Sequence, residues 1–305
     1  MNKEYHNFLI KNFAESQLNR LPEKYDKDRI FSDPLIGVAK GNDPIFQKFK
    51  EVVGKEHYLP IEFWNQSGLP SANSEDLRIV SIVFPYTKRI RDEGKNEKNY
   101  REIKRYLLPA EIYCIGRNYA NAFKKDILRK SIKYVEQHGF KATAPMLSDI
   151  FTLLLKGEFY SNWSERHVAF ASGLGTFSLH DGLITELGCN VRFASFITNA
   201  PFQVTLRSYT NPYEYCLFHA EGTCGVCIEK CPGKAISEEG HDKNKCFKYE
   251  NNVGRKVNDI VELDLKPHKR RINWKLRDQR PPVGCAFCQF GVPCMDKNPT
   301  KPKDK

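Results

Sequence analysis

Cysteine is the residue type whose spacing carries the most chemistry in this chain. Cys216 is followed by Cys224, Cys227 and Cys231, with Pro232 directly after the last. A second set comprises Cys246, the pair Cys285 and Cys288, and Cys294. The stretch from Cys224 to Pro232 reproduces the last three cysteines and the proline of the bacterial C-x2-C-x2-C-x3-C-P run. In that run three thiolates hold one 4Fe-4S cubane and the fourth ligates a second. A C-x2-C turn points two thiolates at one cubane, while the cysteine beyond the next turn faces the neighbouring one. On that exchange rule Cys216, Cys224, Cys227 and Cys294 serve cluster one, and Cys231, Cys246, Cys285 and Cys288 serve cluster two. Pro232 adds a fixed φ, and no N–H, where the chain must leave. Seven residues separate Cys216 from Cys224, and five separate Cys288 from Cys294, with Pro293 before the last. These departures keep the ligand count and leave the partition open. Zinc sites built from four cysteines also use C-x2-C pairs, but they need neither the proline nor two such sets. Cys114 and Cys189 stand apart and read as small buried hydrophobes.

The chain has 305 residues, 12% of them aromatic, and a formal charge of +11. At roughly 100–200 residues per domain this predicts about two domains, and the aromatic content excludes global disorder. No apolar run approaches the roughly 18 residues of a membrane helix. The opening Met1-Asn2-Lys3-Glu4-Tyr5-His6 has no apolar leader. The expectation is a cytoplasmic chain with no membrane partner, in which thiols bind metal and do not pair as disulfides. The charge admits nucleic acid, an acidic protein or an anionic cofactor and selects none. Eight ligated thiolates and two oxidised cubane cores would bring it to about +7.

Eight of the ten cysteines lie between Cys216 and Cys294. That places a boundary near Asn211-Pro212: residues 1–210 form an α/β cofactor or substrate domain, 211–295 a double-cluster domain, and 296–305 a mobile polar tail. Upstream, apolar residues from Tyr5 to Leu21 recur at helical spacing until Pro22. Asp43-Pro44 opens a second helix, and 118–138 forms a third that Gly139 ends. Residues 35–39 and 78–84 read as strands. Ser164 caps a helix to Phe170, closed by Gly173, and 182–185 with 191–198 read as paired strands around Gly188. The alternation predicts a layered α/β or α+β domain. Gly173-Leu-Gly175 follows a helix and lacks a third glycine, so it is no dinucleotide fingerprint. Its glycines supply either positive φ or close approach to a cofactor. The basic stretch 266–280, with Trp274 among its cations, reads as a solvated helix, or else as a phosphate-contacting surface.

The run Ala171-Ser-Gly-Leu-Gly-Thr-Phe177, preceded by 165–169 and followed by Gly182-Leu-Ile-Thr185 and Val191-Arg-Phe-Ala-Ser195, resembles a family. It is similar to the segment that precedes the double-cluster domain of epoxyqueuosine reductases and the related reductive dehalogenases. Residues 36–39, 79–86 and 116–119 fit the order of earlier family blocks. The resemblance implies an α+β chain: a nitroreductase-like α/β domain followed by a ferredoxin-like module with two 4Fe-4S clusters. It implies an oxidoreductase relaying single electrons from a flavodoxin- or ferredoxin-type donor to a bound corrin (cobalamin) or a small-molecule substrate. Gly173 and Gly175 then become cofactor-binding candidates. His167 and His180 become candidates for the cobalt side, although core or surface histidines are the plainer reading.

Two alternatives stay open. One is a ferredoxin-type electron carrier with a docking domain and no substrate. The other is tRNA epoxyqueuosine reduction, for which the family's acid stands in a block resembling Asp-Ser-Ala-Pro. Here that block is Ala142-Thr-Ala-Pro145, with alanine in the acid's place. Asp149, the next acid along, is read either as a substitute for that acid or, more plainly, as a helix cap. The cysteine pattern predicts about eight iron atoms per chain after anaerobic reconstitution, and loss of one cluster's signal in Cys227→Ala. Metal analysis returning zinc without iron would overturn it.

Overall fold

The computed structural model describes residues 1–155 and 159–301, so the last four residues of the expected tail lie outside them. Helix α1 (Asn2–Glu15) is shorter than the apolar spacing predicts. Ser16 ends it, because its Oγ accepts the Leu18 N–H at 3.2 Å and draws the backbone into a 3-10 turn. After β1 (Leu35–Lys40), helix α2 (Ile45–Val52) starts where Asp43 Oδ1 accepts the Ile45 N–H at 3.0 Å. Strand β2 (Arg78–Pro85) is buried along nearly its whole length. The long helix α3 (Glu111–Gln137) begins before the predicted residue 118, because Ile112, Tyr113 and Ile115 already face the core. Gly139, at φ +84°, closes it.

Short strands β3 (Ala142–Thr143), β4 (Leu153–Leu154) and β5 (Tyr160–Ser161) lead to helix α4 (Glu165–Ala171). Then come β6 (Thr176–Phe177), β7 (Leu183–Ile184) and β8 (Val191–Thr198). The main sheet runs β1-β2-β8-β3 and is antiparallel throughout, which makes the mixed architecture α+β. Phe84 and Phe196 turn to one face, where the rings of Tyr5, Phe13 and Phe123 from α1 and α3 meet them. Ser195 turns to the other face and accepts the Trp163 Nε1–H at 2.9 Å, just ahead of α4. Helices therefore cover both faces of the sheet.

The expected pairing of 182–185 with 191–198 does not form. β7 pairs with β6, β8 pairs with β2, and Thr185 bridges only to Gly188 in the turn between the two runs. The alternating faces of β8 are both buried, which suits a strand inside a sheet and not an isolated hairpin. The basic stretch is no helix. It forms the hairpin β9 (His268–Ile272) and β10 (Lys275–Gln279), turned at Asn273 and Trp274 with φ of 45° and 68°. Two successive positive φ values make the tight turn that matches strand twist. The cysteine segment packs on the same core through Cys216, Cys227, Phe290 and Met295. Helix α5 (Lys243–Ile260) fills the long interval between Cys246 and Cys285. Within 296–301, Asn298 is buried and Lys301 pairs with Glu186 at 2.7 Å. No helix among the described residues is long and apolar enough to cross a membrane.

Two histidines lie in the α4 face of the core. Ser164 N–H donates to His57 Nε2, and His57 Nδ1 meets Tyr58 O, each at 3.0 Å. His167 packs against the Phe49 and Phe177 rings, as a core histidine. Burial lowers His57 to about 4 and His167 to about 3. Unfolded histidine titrates near 6.5, so the unfolded chain binds more protons below that pH. Stability is therefore whole above about pH 6.5 and falls as pH drops toward 4. Denaturant titrations from about pH 7 to pH 4.5 should show this decline, with a shallower slope in His57→Gln. Equal slopes in both proteins would exclude His57 as a source.

Candidate metal centre and cleft

The eight thiols gather into two groups. Around Cys227 the charged neighbours are Cys294, Cys216 and Cys224, and these four line one narrow void. Around Cys285 they are Glu250, Cys246 and Cys231. Cys288 adds Cys285 to that second group and also senses Cys227 across the gap between the two. Local structure explains several placements. Cys227 sits in the one-turn helix Val226–Glu229, and Cys246 in the first turn of α5, where Asp242 caps by accepting the Asn244 and Lys245 N–H groups. Ala286, at φ +55°, bends the chain between Cys285 and Cys288. Cys231 Sγ accepts the Ala235 N–H at 3.2 Å.

Burial, then repulsion from neighbouring thiols and acids, pushes Cys227 and Cys246 up to about 12. Burial lifts Cys285 and Cys288 well above the usual thiol range. Thiols in such surroundings ionise only against a cation, and a metal supplies one. The donor set fits iron–sulfur clusters. A single zinc ion at 2.3 Å from four sulfurs draws them within about 3.8 Å of one another. Among the described residues, the one group of three or more such ligands with atoms within 4.8 Å of one another is a different trio: His180, Cys189 and Cys294.

That trio is what the sequence concealed. Cys189 Sγ lies 3.7 Å from Cys294 Sγ, and His180 Nε2 lies 3.9 Å from the same sulfur. Cys189 is indeed buried, but it faces the Cys294 sulfur and not only hydrocarbon. Two glycines permit the approach. A Cβ on Gly188 would collide with the backbone of Met295 and Asp296, and one on Gly182 would strike the His180 ring. The hydrogen bond from Cys189, against burial and with help from His180, brings Cys294 down to about 5, while Cys189 is raised.

Beside the second group lies a cleft of about 550 Å³. Cys246, Cys285 and Cys288 open onto it, together with α3, the start of α4, the start of β8 and the β9–β10 hairpin. Eight lysines and arginines line it against three carboxylates, so it is cationic. Arg192 stays charged despite its burial, donating to Tyr113 Oη at 2.7 Å and Tyr86 Oη at 3.1 Å. Glu165 and Lys124 face each other electrostatically on the same wall. Burial raises Glu165 to about 7, against Ser195 and Lys124, and its Oε2 is buried with no hydrogen-bond partner. Burial lowers Lys124 to about 7, against Glu165. Its Nζ donates to Phe193 O at 3.1 Å.

The remaining candidates fall elsewhere. Gly173 (φ +77°) abuts Thr205 and Leu206, Gly175 abuts the Ile184 backbone, and neither lines the cleft. Ala142 is buried in β3 opposite Thr198. Asp149 caps no helix: it lies at the cleft edge and takes a hydrogen bond from Arg271 at 2.6 Å.

No family model matches the chain. Over 183 residues it is 28% identical to an epoxyqueuosine reductase of Atelocyanobacterium thalassa (isolate ALOHA), covering 59% of this chain and 49% of that protein. The chain thus spans about half the length of the curated relative it matches. Among solved structures it aligns with epoxyqueuosine reductase from Bacillus subtilis at a TM-score of 0.42 and 17% identity, over 90% of this chain and 64% of that one. An epoxyqueuosine reductase with an epoxyqueuosine-modified tRNA-Tyr stem loop aligns at a TM-score of 0.42 and 18% identity, with the same coverage. The resemblance read from the sequence is to this family.

The Lys124–Glu165 pair predicts a carboxyl that titrates near neutral pH. Infrared difference spectra should show a protonated-carboxyl band that is lost in Glu165→Gln. In Lys124→Met the band should persist to higher pH, because the cation that holds the carboxyl down is gone. A band unmoved by Lys124→Met would break the coupling.

Proposed function

We propose that this chain, which resembles the epoxyqueuosine reductases, is an iron–sulfur oxidoreductase that passes single electrons to an acceptor held in the cationic cleft. The observation that carries the reading is a coincidence of place. Thiols of the second group and the Lys124–Glu165 pair open onto one cleft. Electron delivery and proton delivery to a single bound molecule require that arrangement. A carrier with no substrate of its own requires neither the cleft nor the pair.

On this reading Cys216, Cys224, Cys227 and Cys294 hold one 4Fe-4S cluster, and Cys231, Cys246, Cys285 and Cys288 the other. The main sheet with its helices forms a nitroreductase-like layer, and the cysteine segment a ferredoxin-like module. The clusters would supply electrons one at a time at a potential set by ligand burial and hydrogen bonding. Glu165, raised to about 7 by burial on the cleft wall, carries a proton near neutral pH, which suits acid catalysis. Arg192, fixed by two tyrosine hydroxyls, orients a negatively charged group. A corrin is the acceptor we propose, and it would contribute one-electron chemistry at cobalt.

Reduction of an epoxide on tRNA, as the relatives' names describe for them, is a narrower alternative. The cationic cleft favours it. Buried Ala142, where the family resemblance puts the acid, counts against its usual proton donor.

Anaerobic reconstitution followed by cobalamin tests the reading. The holoprotein should carry iron and retain the corrin spectrum through gel filtration. Lys124→Met with Arg192→Gln should weaken retention about tenfold, or ~1.4 kcal/mol. Iron without any retained corrin would favour the carrier.

A further inference from the structure

Cys294 meets two side chains that the ligand count does not use. The first is His180. Gly182 N–H donates to His180 Nδ1 at 3.2 Å, so that nitrogen's lone pair is taken and the proton of the neutral ring sits on Nε2. Nε2 is the atom that lies 3.9 Å from Cys294 Sγ. The second is Cys189, whose Sγ is 3.7 Å from the same sulfur and whose backbone N–H donates to Cys294 O at 2.8 Å. Cys189 does not line the void that the four thiols of the first group share, and it borders the large cleft instead.

We propose that His180 and Cys189 are paired hydrogen-bond donors to the Cys294 thiolate, and that they set the reduction potential of the first cluster. The inference rests on the cluster reading above. Donors directed at a ligating sulfur withdraw charge from it. They stabilise the more negative, reduced cluster and so raise its potential. The fold commits specific features to this arrangement. Gly182 leaves room for the imidazole and supplies the N–H that fixes its tautomer. Gly188 lets the 294–296 backbone close over Cys189. Both donors also border the large cleft, and His180 borders the void of the first group as well. They are the partition between one metal centre and the acceptor site.

Potentiometric titration of the reconstituted full chain, followed by electron paramagnetic resonance, tests this, with Cys227→Ala identifying which signal belongs to the first cluster. Cys189→Ala and His180→Phe should each move that cluster's midpoint to more negative potential and leave the other cluster in place. Cys189→Ser, which keeps a donor, should stay near wild type, and iron per chain should be unchanged in all three. Unmoved midpoints in both donor-less variants would overturn the proposal. So would loss of iron in Cys189→Ala, which would make Cys189 a ligand. A wild-type chain that takes up no iron would instead refute the cluster reading, and this inference with it.

Discussion

Two backbone hydrogen bonds hold the cysteine segment to the rest of the molecule at its most consequential point. Cys189 N–H donates to Cys294 O at 2.8 Å, and Asn190 N–H donates to Met295 O at 3.0 Å. They fasten the returning chain directly to the residues that open β8, the strand that spans the main sheet. Cys294 is thereby fixed against a rigid element and not left on a loop. Gly188 is the condition for it, because any side chain there would occupy the space of the Met295 backbone. From this contact follow the closure of the first thiol group, the nearness of His180, and the burial of Phe290 and Met295 in the common core.

Charge is the second constraint. Four of the thiols, Cys227, Cys246, Cys285 and Cys288, resist ionisation because the fold takes them out of water. The cleft wall presents the opposite problem, with Arg117, Lys124, Arg192 and Arg270 raising one another's cost. Glu165 is the acid that offsets part of this, and it does so with one oxygen unsatisfied. Unpaired buried polar atoms are rare in folded proteins and concentrate where a ligand completes them. The molecule thus sets an unsatisfied cationic surface beside a set of thiols that await a cation.

Much of this was legible in the chain. Cysteine spacing is a local property, and so are the β-branched runs at 78–84 and 191–198, which became the two inner strands of the main sheet. What stayed hidden depends on partners distant in sequence. Nothing near 182–185 reveals that its strand pairs with 176–177, because both are two-residue strands with no periodicity to read. The 266–280 hairpin was masked by its charge, although Asn273 at the turn was a usable sign. The setting of Cys189 was beyond reach in another way. Its neighbours are residues 180 and 294, brought in from opposite directions by glycines whose reason is steric and visible only in three dimensions.

The layout of the two thiol groups also orders events in time. Each draws thiols from before and after the β9–β10 hairpin: Cys294 joins the group begun at Cys216, and Cys285 and Cys288 join the group begun at Cys231 and Cys246. During synthesis, a nascent chain that has reached only α5 carries three thiols of the first group and two of the second. The main sheet, whose strands all precede residue 199, can form before then without any metal. On the cluster reading, cofactor loading would therefore be separated from the folding of the scaffold. A metallochaperone that met the chain early would find nothing able to hold a complete cluster.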